Sequence, residues 1–211
     1  MSTRVFISYR RSDSAAASGR LYDTLVSALG GEDAIFVDVD DIPIGANFRS
    51  EIVRAIEGSA AVLVVVGQDW LASDESGRAR IEDPSDPVRL ELESALERAI
   101  PVIPVLVDDA VMPPRSVLPE SVAELADLNA ASLGHRSWRA DCAGLLTTIQ
   151  HIRAVRVANL AERALQDGEL AVAERHLAAV DVPTPLTDRF GELRERLASA
   201  RRGARANELA S

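Results

Sequence analysis

Few side chains in this sequence have both the type and the placement for chemistry. Arg10 and Arg11 follow directly on the run Val5-Phe6-Ile7-Ser8-Tyr9. Adjacent guanidinium groups at a strand end bind a diphosphate well, and they pair equally well with the many nearby carboxylates. Ser8 and Tyr9 lie at the same strand end, where they can line a pocket; Tyr9 can equally fill the core. Asp38 closes the next apolar run and serves either a ligand or the hydrogen bonds of its loop, the commoner role for an aspartate there. Glu91 stands about 100° around its helix from Leu92, at the margin of the apolar face. It is near the helix N-terminus, where the dipole favours an acid, so a solvated surface role also fits it. Glu93 and Glu97 turn further from that face and read as solvated.

Other chemistries find no support. His135, His151 and His176 are far apart, and none pairs with a nucleophile as a hydrolase triad requires. Cys142 is the one cysteine, so no internal disulfide forms, and no Cys/His cluster has metal-ligand spacing. Neither a G-x-G-x-x-G nor a Walker phosphate loop is present.

The elements that position these residues alternate. Arg4 to Tyr9 reads as a strand, and Leu21, Leu25, Ala28 and Leu29 carry the helical spacing of 14–29. Ser12 or Ser14 is expected to cap that helix and Gly30-Gly31 to end it. Ala34 to Val37 is a second strand, 38–47 a loop with Pro43 and Gly45, and 48–57 a helix closed near Gly58. Ala60 to Val66 is uniformly apolar, as in a strand buried on both faces. A polar stretch, 67–86, leads to a helix over Val88 to Ala99 and a buried strand over Pro101 to Val107. After a proline-rich connection, Asp127 to Leu133 reads as a fifth strand and Trp138 opens a helix. The pattern specifies an α/β fold: a flavodoxin-like five-stranded parallel sheet with helices on both faces, plus a C-terminal helical extension. Ligands bind beyond the carboxyl ends of such strands, the edge that carries Ser8 to Asp13, Asp38 to Asn47, the loop 67–86 and 107–118.

The expected domains are 1–155 and a helical tail, 156–211. The tail is broken at Asp167-Gly168 and at Pro183-Thr184-Pro185, giving a hairpin and a third helix, 186–200, that loosely resemble one tetratricopeptide-like repeat. Of the net charge of −10, residues 1–150 hold −11 and residues 151–211 hold +1. The acidic part repels nucleic acid and anionic membrane, so neither is an expected partner. All 23 basic residues are arginine, which reads as compositional bias. Hydrophobic residues make up 47% of the chain, enough for a core, but aromatics only 4%, so Val, Leu, Ile and Ala must fill it. The N-terminus runs straight into a strand rather than a signal peptide, and the longest uncharged, mostly apolar run, Gly58 to Gln68, is too short to span a bilayer. A cytoplasmic location is the simplest expectation.

Four segments resemble the boxes of Toll/interleukin-1 receptor-like (TIR) domains, in the family's order. They are Val5 to Arg11, Phe36 to Gly45, Val88 to Leu96 and Pro101 to Val105, within a likeness that covers about residues 3–152. Many bacterial and plant members, and the animal axon-degeneration member, are NAD hydrolases or cyclases; animal receptor adaptors are scaffolds. The resemblance implies that Glu91 is the catalytic glutamate, that NAD+ is substrate, and that no cofactor or metal is needed. Nicotinamide leaves NAD+ as a neutral molecule, so no general acid is required; one carboxylate beside the ribose steadies the oxocarbenium-like charge. Ser8, Tyr9, Arg10, Arg11 and Asp38 are then the expected substrate contacts, with Ile44 and Phe48 flanking the family's BB loop against nicotinamide or a neighbouring copy. Phe48 can also be the first core residue of its helix.

Many members carry an aromatic residue four positions before the glutamate, where this sequence has Pro87. Trp70 is the candidate for the missing stacking surface, or else buries the start of the long loop. The family further implies antiphage defence and activation by self-association, here through Asp40 to Asn47 and the helical tail. A non-catalytic TIR interaction module remains the alternative, as does a different nucleoside-bond enzyme on a similar fold. A response regulator would need acids where Arg10 and Arg11 stand.

Overall fold

The structure, a computed structural model, describes residues 3–37, 47–73, 77–179 and 184–210. Asp38, Ile44 and the loop 38–46 lie outside these residues, as does the side chain of Phe48. Five strands form one sheet: β1 (Arg4–Ser8), β2 (Ile35–Val37), β3 (Ser59–Val66), β4 (Val102–Val107) and β5 (Ala131–Leu133). Their order is β2-β1-β3-β4-β5, and every neighbouring pair is parallel. This is the flavodoxin-like order. Parallel neighbours require crossovers, supplied by α1 (Arg11–Leu29), α2 (Phe48–Glu57) and α3 (Pro87–Glu97).

The apolar run of β3 takes the central position, and all eight of its residues are buried. Phe6, Val62, Val64 and Val66 pack with Ile52 and Ile56 of α2 and Leu92 and Ala95 of α3. Val5 and Ile7 alternate with Phe6 and are also fully buried, as are Leu21 and Leu25 of α1, so both sheet faces are covered. Each of the larger aliphatic side chains contributes roughly 1.5–3 kcal/mol by leaving water.

Contacts divide the chain into Met1–Leu146 and Thr147–Ser211, and the division falls within α4 (Trp138–Gln166). The second unit holds the rest of α4, α5 (Leu170–Leu177) and α6 (Thr187–Ala210). Gly168, at a left-handed φ of 76°, turns the chain between α4 and α5. Ala154, Ala158, Ala161 and Ala173 are buried beside Phe190, Leu193 and Leu197 of α6, small residues that leave room for the larger ones. Arg189 and Arg196 of α6 both pair with Glu162 of α4.

Two local expectations differ from the structure. Neither Ser12 nor Ser14 caps α1; Arg10 is the N-cap and offers no side-chain cap bond. Asp13 explains why. Its carboxylate turns out of the first turn to accept from the Gly67 and Asp69 N–H groups, at 2.9 and 2.8 Å, and Ser14 leaves helical geometry beside it (φ −130°, ψ 22°). The fifth strand is also shorter than Asp127 to Leu133. Asp127 instead ends a 3-10 helix, Glu120–Asp127, whose three-residue period buries Val122 and Leu125 together.

Gly67 has a steric reason to lack a side chain. A Cβ there would stand 2.5–2.7 Å from atoms of the Asp13 carboxyl group. Gly67→Ala must expel that carboxylate and strand two N–H donors, and a loss of about 1–3 kcal/mol in urea unfolding is expected.

Candidate functional site

The carboxyl end of β1 delivers Ser8, Tyr9 and Arg10 to the ligand-facing edge of the sheet. Arg10 does not reach outward. Its Nη1 and Nη2 donate to Asp86 Oδ2 and Oδ1 at 2.7 and 3.1 Å, and the two side chains are 1% and 3% exposed. The guanidinium also lies 5.4 Å from the ring centroid of Trp70, itself buried. Burying both ions costs several kcal/mol each in lost hydration, so this bidentate pair serves position more than stability.

What it positions is the start of α3. Asp86 is the N-cap: its Oδ1 also accepts from the Arg89 N–H at 3.0 Å, and Pro87 fills the first helical position, where no N–H is missed. Arg80 adds a second cation, its Nε 3.9 Å from Asp86 and its Nη1 donating to Ser12 at 3.2 Å. The end of β1, the start of α1 and the start of α3 are thus tied through one carboxylate.

Five residues further along α3 is Glu91. It is only 3% exposed, and it is the one buried glutamate among the described residues. Carboxylates are almost never buried to that degree unless the charge is paired or hydrogen-bonded. Glu93 faces another way and is held by Arg89 at 2.8 Å and Ser121 at 2.7 Å, while Arg89 donates to the Glu82 carbonyl at 2.8 Å. Burial pushes the Glu93 carboxyl up, but the hydrogen bonds from Arg89 and Ser121 and the charges of Arg89 and Arg49 outweigh it and hold it below its ordinary value.

The structure brings Arg10 and Trp70 together and places Ser8, fully buried, at the same strand end. Arg11 opens α1 on the exposed side. The site residue the sequence reading passes over is Asp86, although an aspartate directly before a proline at a helix start is a recognisable capping signal. Among the described residues no group of three or more His, Cys, Asp or Glu could hold a metal, and no helix is long and apolar enough to cross a membrane.

Two outcomes follow from these pairs. Arg10→Met leaves buried Asp86 with only the more distant Arg80 and should cost about 3–5 kcal/mol in denaturant unfolding, whereas Arg10→Met with Asp86→Ser, which keeps a capping oxygen, should recover most of it. Glu93 contributes stability above the unfolded carboxyl value, and that contribution is lost as pH falls through the lowered folded value. Glu93→Gln should therefore flatten the decline in unfolding midpoint between about pH 6 and about pH 3.

Comparison with known proteins adds the family. No curated protein matches the sequence. Among solved structures, the chain is similar to the TIR domains of the activated Roq1 resistosome that directly recognises the pathogen effector XopQ, at 19% identity and a TM-score of 0.46, covering 70% of this chain and 97% of that one. Residues 5–146, the extent of the sheet and its helices, match the family model of the TIR domain. The chain belongs to the TIR-domain family.

Proposed function

We propose that this chain cleaves the N-glycosidic bond of NAD+, with Glu91 as the catalytic carboxylate. The observation that carries the reading is a glutamate buried to 3% exposure on a helix whose start is locked to the ligand-facing end of β1. The bond from the ribose C1′ to the pyridinium nitrogen breaks, and its electron pair leaves with neutral nicotinamide. The sugar is left as an oxocarbenium-like cation. Glu91, negative and short of solvent, opposes that charge more strongly than it would in water. Water then adds to C1′ and loses a proton to give ADP-ribose, or a nucleophile within the ADP-ribose adds and gives a cyclic product.

In this reading Tyr9 and Arg11 contact substrate, together with Asp38 and Ile44 from the loop before α2 and Phe48 at the start of α2, while Ser8 lies buried beneath them at the strand end. Arg10 and Trp70 act from beneath, as the pair and platform that hold α3. Self-association through Asp40 to Asn47 and the helical tail is the expected activating step, and antiphage defence the expected setting. The contrary reading, an interaction module without turnover, is favoured by Pro87 and the helical tail, and by Arg10, the first guanidinium of the pair, being already committed to Asp86.

The test is NAD+ consumption by the full chain at high protein concentration, with the products identified by mass spectrometry. Wild type should release nicotinamide, and Glu91→Gln should slow release by about 100-fold or more. Equal turnover by the variant would remove Glu91 from the mechanism; no turnover by wild type in its assembled state would favour the scaffold.

A further inference from the structure

Arg80 is a cation that no motif in the sequence singles out. It stands in the long loop after β3, where its N–H donates to the Ala72 carbonyl at 3.2 Å and an isolated bridge joins Ser73 to Ala79. Ile81 beside it is fully buried. The backbone at Arg80 is therefore anchored, while its side chain stays 41% exposed. We infer that Arg80, with the Ser12 hydroxyl, holds a phosphate group of the dinucleotide and so makes the site specific for a phosphorylated nucleoside. This rests on the proposed cleavage of NAD+ and assigns two further binding residues to that site.

Asp86 already has a bidentate counter-ion in Arg10, at 2.7 and 3.1 Å. Arg80 approaches the same carboxylate only to 3.9 Å, through Nε, which is beyond hydrogen-bond reach. Two guanidinium groups thus meet one carboxylate, and a positive charge is left in surplus. The neighbouring acids are otherwise engaged. Glu82 lies 3.8 Å from Arg78, Glu93 accepts from Arg89, Asp83 accepts from Ser85, and Asp13 accepts from the Gly67 and Asp69 N–H groups. Residues 1–150 carry −11 overall, a field that repels a dinucleotide. A ligand with phosphates needs a local cation here, and the surplus at Arg80 is one.

The guanidinium is fixed on one side and open on the other. Nη1 donates to Ser12 Oγ at 3.2 Å, the only side-chain hydrogen bond of Arg80 among the described residues. Ser12 is exposed; its oxygen accepts from Arg80, and its own proton remains to be donated. An arginine fork beside a hydroxyl is a donor set that matches tetrahedral phosphate oxygens. Ser12 also lies in the first turn of α1, which has no side-chain cap, so the helix dipole acts in the same direction. From Asp86 to Glu91 the helix rises about 7.5 Å. That is about the span of a ribose with its 5′-phosphate, so a sugar beside Glu91 can place its phosphate at the end of α3 where Arg80 stands.

The test uses the full chain at high concentration. ADP-ribose and adenosine are titrated by calorimetry, and turnover of NAD+ is compared with that of nicotinamide riboside, which lacks the phosphates. Arg80→Gln should weaken ADP-ribose about tenfold and raise the KM for NAD+ by a similar factor, with kcat changed by less than about twofold. Adenosine binding and kcat/KM for nicotinamide riboside should not change. Arg80→Lys, which keeps the charge and loses the fork, should fall between, and Ser12→Ala should weaken ADP-ribose about threefold. The unfolding midpoint of Arg80→Gln should stay near that of wild type, because a half-exposed pair at such a distance stabilises little. Three results would each overturn the assignment: no binding of ADP-ribose by wild type up to about 10 mM, equal binding by wild type and Arg80→Gln, or equal losses toward NAD+ and nicotinamide riboside, the mark of a merely structural role. Arg80-dependent binding of ADP-ribose by a chain that leaves NAD+ intact would uphold the phosphate site and remove the glycosidic reading. Cleavage of NAD+ indifferent to Arg80 would do the reverse.

Discussion

A buried carboxylate with too many obligations for a loop residue holds the ligand-facing end of this molecule together. Asp86 accepts from both nitrogens of Arg10, and it must stay in place to cap α3. Because both ions are stripped of water, the pair tolerates little misplacement: a shift that lengthens one bond leaves a charge in a low-dielectric setting with nothing to oppose it. A salt bridge on the surface could slide by an ångström at almost no cost. This one cannot, so α3 starts in one place and its side chains point in one set of directions. Glu91 inherits its direction from that constraint, and Trp70 supplies the surface against which the guanidinium is held.

The sheet was largely legible from sequence because its signals are redundant. The uniform run Ala60 to Val66 has no reading other than a doubly covered strand, and it occupies the middle of the sheet. Gly30 and Gly58 mark helix ends by backbone geometry that other residues adopt less easily or by simple loss of helix propensity. What failed was local: the expected serine caps and the start of the fifth strand. In both places a distant partner decides the conformation. Asp13 abandons its own helix for backbone donors 54 and 56 residues away, and Val122 and Leu125 follow a period of three to reach the core near α3. No window of neighbouring residues contains that information.

The candidate site was legible by type and not by pairing. Arg10 reads equally as an anion ligand and as half of an ion pair, and only the fold brings Asp86, 76 residues on, to its side. The acid excess of the first part of the chain, noted from composition, has a local expression as well. It places Glu32 and Asp33 beside Arg4 at one groove, while Arg10 near the sheet end is turned inward onto Asp86.

The long sequence separations in these ties bear on how the chain comes into being. Asp13 waits for Gly67 and Asp69, and Arg10 waits for Asp86. Closing loops of that size costs more chain entropy than forming a helical turn, so the knot at the sheet end cannot be completed by local structure alone. During synthesis the N-terminal residues emerge first, yet they hold nothing in order until the strand–turn–helix from β3 to α3 has left the ribosome. A nascent or truncated chain ending before α3 lacks the fixed edge, so whatever the edge does is withheld until that helix has docked.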